Sequence, residues 1–293
     1  MTDGTMTAMS ATVVRKRRHG RAMPGLVLAA FSFLGLMLFV AVFADLLAPH
    51  PFAALDLRNR LTPPIGFGGV LEHPFGTDEL GRDVLSRLII SVRMSLLIAC
   101  GATVISALLG TMLGILAAHF GRWVEQLVLV LVDFQASMPF LILALAVLAF
   151  FGNSLPLFIA LLGLYGWERY ARLARALALS SGAQPYVLAI RQLGAHPWRL
   201  YLKHVLPNIA STLIVTMTIT FPEVILLESG LSFLGLGVQP PLTSLGNMVG
   251  YGRDYLDRAP WILVPPSLIL SLTALSISLC GDWLRDRLDR TLQ

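Results

Sequence analysis

Long apolar runs dominate this chain and leave few folds open to it. Six stretches approach the roughly 20 mainly apolar residues that a helix needs to cross a hydrocarbon core about 30 Å thick. They are Leu26–Leu47, Ser91–Ala118, Glu125–Phe151, Leu155–Tyr170, His204–Leu227 and Trp261–Cys280. The fourth is the shortest, and Gly163 and Gly166 interrupt it. The runs are continuously apolar rather than alternating, which selects helices over the strands of a membrane barrel. Charged residues make up only 13% of the 293, against about a quarter in a soluble domain. The expected fold is an all-α membrane protein with about six transmembrane helices.

Lysine and arginine bias sets the expected orientation. Arg15, Lys16, Arg17, Arg18 and Arg21 precede the first run, which places the N-terminus in the cytoplasm. Six crossings return the C-terminus, with Arg285, Arg287 and Arg290, to the same side. Arg169, Arg172, Arg175, Arg191, Arg199 and Lys203, after the fourth run, also fall inside. Four parts are expected: a basic cytoplasmic arm over 1–24; the first helix and an outer segment over 25–90; a five-helix core over 91–284; and a cytoplasmic tail over 285–293. The first run exceeds the 7–15 apolar residues of a secretory signal and is read as an uncleaved helix. Met1 to Thr12 are small and polar, and disorder is expected there.

Several chemistries are excluded by what the chain lacks. Its only lysines, Lys16 and Lys203, close no G-x-x-x-x-G-K-[ST] pattern, so any ATP that drives it binds elsewhere. The six histidines show no metal-ligand spacing, and G-x-S-x-G is absent. Neither a catalytic residue nor a metal ligand is expected. Cys100 and Cys280 both sit in apolar runs and read as small buried hydrophobes.

Between the fourth and fifth runs lies YVLAIRQLGAHPWRLYLKHVLPN, from Tyr186 to Asn208. Pro185 suits the first turn of a helix. Tyr186, Val187, Ile190 and Leu193 then fall on one face. Gly194 stands where a left-handed residue would end it. Two turns of helix are expected, a knob of the kind that a partner's groove accepts; a helix that merely anchors the loop fits the same periodicity. The run from Ala189 through Gly194 to Leu206-Pro207 resembles the EAA loop of permease subunits of bacterial ABC importers. Leu188 stands where that motif has Glu, and Ile190 where it has a second Ala. The resemblance implies that Tyr186, Val187, Leu188, Ala189, Ile190, Arg191, Leu193, Gly194 and Pro207 couple the chain to an ATPase.

Three further segments look like the C-type permease subunit of dipeptide, oligopeptide and nickel importers. They are HPFGTDELGRDVLSRLIISVRMSLL (His73 to Leu97), ESGLSFLGLGVQPPLTSLGNM (Glu228 to Met248) and GDWLRDRLDR (Gly281 to Arg290). In the first, Thr77-Asp78 is expected to cap a short helix over Glu79–Arg87, with Asp83 and Arg87 paired at i, i+4. In the second, the glycines of Phe233-Leu234-Gly235-Leu236-Gly237 permit a re-entrant turn, which makes Ser229–Pro241 a candidate outer gate; a plain turn is the simpler alternative. The resemblance implies one of two homologous permease chains, two P-loop ATPase subunits that bind ATP and magnesium, and an extracytoplasmic binding protein. It also implies a bacterial cytoplasmic (inner) membrane location, no cofactor on this chain and no nucleic-acid partner. Small peptides are the expected solute; nickel chelates and glutathione are the alternatives.

Ionisable residues inside a spanning run are costly. Asp133, followed by Ser137 and the kinking Pro139, and Glu228, at the far end of the fifth run, are candidates for the translocation path, along with Phe233, Gly235 and Gly237. The alternative is a structural ion pair, with Arg169 or Arg172 as partner for Asp133. A stand-alone secondary transporter would show repeat symmetry, and no internal repeat is evident.

Overall fold

A computed structural model describes residues 23–288. The expected cytoplasmic arm, with Arg15, Lys16, Arg17, Arg18 and Arg21, and the end of the tail, with Arg290, lie outside the described residues. Among those residues the fold is all-helical, apart from one isolated antiparallel bridge between Thr77 and Asp83.

Helix α1 (Gly25–Val42) is followed by a four-residue turn of helix, α2 (Ala44–Leu47). An irregular segment leads to α3 (Val84–Phe120), whose 37 residues make it about 55 Å long at 1.5 Å per residue. Helices α4 (Arg122–Ser137) and α5 (Phe140–Phe151) meet at a 90° bend. Then come α6 (Leu155–Gly163), α7 (Trp167–Gly182), α8 (Pro185–Gln192) and the single turn α9 (Pro197–Leu200). A π turn over Tyr201–Val205 feeds α10 (Leu206–Phe233). The chain closes with α11 (Leu245–Gly252) and α12 (Val264–Leu288).

Four continuous helical stretches are long and apolar enough to span a membrane: Gly25–Val42, Val84–Phe120, Pro197–Phe233 and Pro260–Leu288. The bent pair α4–α5 makes a fifth if counted as one crossing. Two expectations need correction here. The run over Glu125–Phe151 is not one kinked helix but two, because Pro139 cannot donate to the turn behind it and Met138 is extended, as residues before proline tend to be. The run over Leu155–Tyr170 is not one helix either. Gly163 packs against Ile105 of α3, and Gly166 takes a left-handed φ of 81° that starts α7 in a new direction. The α7 sequence WERYARLARALALSSG is amphipathic rather than apolar.

Helix α3 is the spine, touching α1, α4, α6, α7, α10 and α11. One core forms where Ile98 and Ala102 of α3 meet Phe158 and Leu162 of α6 and Ile225 and Leu231 of α10. A second gathers Met37 of α1, Val84, Leu88 and Val92 of α3, and Leu245 and Met248 of α11. The tightest crossing is between α3 and α7. A Cβ on Gly110 would come within 2.3 Å of the Trp167 carbonyl, and one on Gly114 within 2.4 Å of that of Ala171. Only glycine lets the two backbones lie this close. Tyr170 and Ala174 fill the remaining space together with Val205 and Ile209.

The segment 48–83 folds into a polar knot on the N-terminal end of α3. The expected cap at Thr77-Asp78 and the helix over Glu79–Arg87 do not form. Residues 78–82 make a tight turn instead, and Asp83 caps α3, its Oδ2 accepting from the Ser86 amide at 2.8 Å. The Asp78 carboxylate accepts from the backbone amides of Leu80 (2.8 Å) and Arg82 (2.9 Å), from Arg82 Nε (2.7 Å) and from the Arg87 guanidinium. Arg87 therefore pairs with Asp78, not with Asp83. Asp83 Oδ1 instead accepts from His73 Nδ1 at 3.0 Å. At the margin of the knot the Asn59 amide and the Arg58 N–H hold the exposed Asp56 carboxyl below its ordinary value.

A protruding hairpin and a charged face

The helix expected between Pro185 and Gly194 is α8, and its end is fully hydrogen-bonded. Gly194 has φ 77°; its amide donates to the Arg191 carbonyl (3.1 Å), and the Ala195 amide donates to that of Ile190 (3.4 Å). This pair of bonds is the Schellman closure. It turns the chain back into α9, which the His196 ring caps through the Trp198 amide. Val187 is the one buried side chain of α8. Tyr186, Leu188, Ala189, Arg191 and Leu193 are exposed, Leu193 at 87%, and Ile190 is half-buried. Trp198, which the sequence reading did not single out, is also exposed. The expected apolar face thus splits: Val187 is buried and Ile190 half-buried, Tyr186 and Leu193 turn outward, and Leu188 and Trp198 add further exposed apolar side chains to the hairpin. Pro207 lies at the start of α10, directly after the π turn, inside a helical stretch continuous from Pro197, so its missing N–H leaves one carbonyl of the preceding turn without a helical donor.

The residues expected at a gate separate into two environments. Glu228 is wholly buried and meets no cation. Ser232 donates to its Oε1 at 2.8 Å, and Ser95 and Ser229 to its Oε2 at 3.2 and 3.3 Å. Ser95 also accepts from the Leu245 amide at the start of α11, so one carboxyl group joins α3, α10 and α11. The gate segment turns at Gly235, with φ 81°, and Gly237 presses on Ser232, where a Cβ would have no room. Asn153 donates to the carbonyls of Leu236 (2.7 Å) and Gly237 (2.6 Å), and Asn247 to that of Val238 (2.5 Å). Phe233 ends α10 with the Arg253 guanidinium 4.7 Å above its ring. These bonds hold the segment as a closed turn beside the helix ends.

Asp133 lies elsewhere, on α4, and its partner is Arg172 of α7 at 3.2 Å. It is one of three such pairs. Arg169 meets Glu223 of α10 at 2.6 Å, and Arg175 meets Glu125 of α4. Tyr165 adds a hydroxyl to Glu223 at 3.3 Å. The three arginines recur every third residue along α7. The sequence offered Arg169 or Arg172 as a partner for Asp133, and Arg175 counted only toward orientation; the spacing of all three, matched by two acids on α4, was the signal for the whole set. The face is open, with the Asp133 side chain 75% and the Arg172 side chain 51% exposed. Charges at the centre of a spanning helix carry a cost of about 2.5–3.5 kcal/mol on insertion scales.

One cluster was absent from the sequence reading. His50, His73 and Asp83 bring ligand atoms within 4.8 Å of one another, close enough to hold a metal ion. Each group already has a protein partner: His50 Nε2 donates to the Glu72 carbonyl at 2.9 Å, His73 to Asp83, and Asp83 Oδ2 caps α3. The cluster satisfies itself as a structural part of the knot.

Comparison with known proteins follows the same lines. The family described as binding-protein-dependent transport system inner membrane component matches residues 110–293. The di/tripeptide transport system permease protein DppC of Pseudomonas aeruginosa is 40% identical over 91% of this chain and 88% of its own length. The oligopeptide permease OppC of Bacillus subtilis is 33% identical over 95% and 84%. The glutathione permease GsiD of Pectobacterium atrosepticum is 32% identical over 90% and 87%. Among solved structures, an inward-facing MetNI methionine ABC transporter aligns with a TM-score of 0.52 at 20% identity, covering 71% of this chain and 96% of that one. That likeness speaks to the fold alone.

Proposed function

Because the chain belongs to the family of binding-protein-dependent transport system inner membrane components, we propose that it is a transmembrane subunit of an ABC importer for small peptides, in a bacterial cytoplasmic membrane. The relatives named for di-, tri- and oligopeptides support the solute class. The relative named for glutathione, itself a modified tripeptide, fits the same chemistry. ATP and magnesium bind to two partner ATPase subunits. A second, different permease chain completes the passage, and an extracytoplasmic binding protein delivers the peptide. This chain performs no covalent chemistry.

The exposed α8–α9 knob carries the reading. Tyr186, Leu188, Leu193 and Trp198 are exposed apolar side chains on the hairpin, and the Schellman bonds at Gly194 close the end of α8. A helix of this kind suits a groove on a partner. Six crossings follow if α4–α5 form one bent span and α6 with the first turns of α7 another, with both termini and α8 in the cytoplasm. ATP binding closes the ATPase pair, carries α8 with it and re-orients the spanning helices; hydrolysis resets them.

The test is to tag the chain, extract it in mild detergent and identify what accompanies it. Co-purification of one or two P-loop ATPases and a second permease is the expected result. A chain that emerges alone and moves peptide across liposomes without ATP overturns the proposal.

A further inference from the structure

The charged face of α7 is a feature that membrane energetics does not leave neutral. Glu223 stands in the second half of α10, about 26 Å from that helix's N-terminal end and about 15 Å from its C-terminal end at 1.5 Å per residue. The pair Arg169–Glu223 therefore sits well inside a helix apolar enough to span. Arg172–Asp133 and Arg175–Glu125 continue from it along α7, each about 4.5 Å further on. The rungs face outward from the bundle, and Asp133 and Arg172 are more exposed than buried. Acyl chains make no neighbour for groups of this kind; water or protein does.

We propose that this face of α4, α7 and α10 lines the water-filled passage and receives the charged ends of a zwitterionic peptide, one rung after another. The inference rests on the importer reading and deepens it. Each rung offers one guanidinium and one carboxylate. A peptide with free termini carries the complementary pair, so it exchanges partners with a rung at no change in net charge. An extended residue spans about 3.5 Å, so the termini of a di- or tripeptide bridge about two rungs. Arg forks bind carboxylates bidentately, and the Tyr165 ring, 6.0 Å from the Arg169 guanidinium, walls the deep end beside Phe140.

The experiment uses the assembled importer in proteoliposomes, with Cys100 and Cys280 replaced by serine. ATP-dependent dipeptide uptake by this parent is measured first, and it alone tests the importer reading. Asp133→Cys is then treated with a membrane-impermeant charged methanethiosulfonate, with Leu38→Cys on the exposed apolar side of α1 as control. Modification at least tenfold faster at 133 is expected, slowed by a dipeptide with free termini and not by the same dipeptide acetylated and amidated. Should Asp133→Cys fail to assemble, Arg172→Cys reads the same rung. Reactivity in the isolated subunit that vanishes in the assembled importer overturns the proposal, since the rungs are then sealed between subunits. Equal protection by the blocked dipeptide also overturns it, since the charged ends are then not what the face recognises.

Discussion

At the residue scale, Asp78 shows how much one side chain organises. Its carboxylate is fully buried and serves two arginines and two backbone amides. Removing one partner of a buried pair leaves the other charge unanswered, at a cost of about 3–5 kcal/mol. Asp78→Ala is expected to destabilise the chain by this order, read as a lower denaturation midpoint in detergent and as faster proteolysis of segment 48–83. A second prediction concerns Gly110. Gly110→Val drives a side chain into the Trp167 carbonyl and forces α3 and α7 apart, costing about 1–3 kcal/mol as overpacking does; thermal unfolding in detergent checks it. The register of the Asp78 turn was not legible beforehand. Asp78–Arg82 and Asp83–Arg87 are both at i, i+4 spacing, and only the fold decides between them. The deciding contact is Gly81, φ 76°, pressed against the Asp56 carbonyl from 25 residues earlier in the chain. No local pattern records that approach.

At the scale of elements, legibility followed how local the causes were. Helix α8 could be read because its start and end are written beside it: Pro185 opens it, and the turn at Gly194 closes it, the Gly194 amide bonding three residues back and the Ala195 amide five. The break between α6 and α7 was legible only as an interruption at Gly163 and Gly166, and the 90° turn between α4 and α5 only as a kink at Pro139, since neither residue type sets the angle at which the chain resumes. Helices α4, α6 and α7 all pack on α3. Of the candidate site residues, Asp133 belonged to a charged face, yet its two companion rungs depend on which side of α7 meets α4 and α10. One prediction belongs here. At Gly194 a Cβ meets open space, but φ 77° costs an L-residue about 1–2 kcal/mol. Gly194→Asp is expected to leave the chain folded and inserted and to abolish uptake, because it adds a charge at the docking corner. Peptide uptake in cells, with membrane abundance as control, decides the matter; uptake at the wild-type level rules out coupling through α8.

At the scale of the whole molecule, the interlock of α3 with α7 has a mechanical meaning. Close backbone contact at Gly110 and Gly114 makes two helices into one beam. One end of the beam runs directly into the α8 knob through a two-residue link, and the other carries the buried knot of Asp78, Asp83 and Arg87. Spin labels at Leu97 on α3 and Leu179 on α7 are expected to keep their separation between nucleotide-free and ATP-bound importer, while Leu97 and Leu268 on α12 change theirs; pulsed dipolar distances measure both. If a partner grips α8 as proposed, a push delivered at Pro185 passes through α7 and α3 to Val84 as a tilt. The knot works as the weighted tip of a lever. On the proposed importer reading, it reports on one face of the membrane what is gripped at the other, and a solute waiting at the far opening meets a surface already set by the state of the motor.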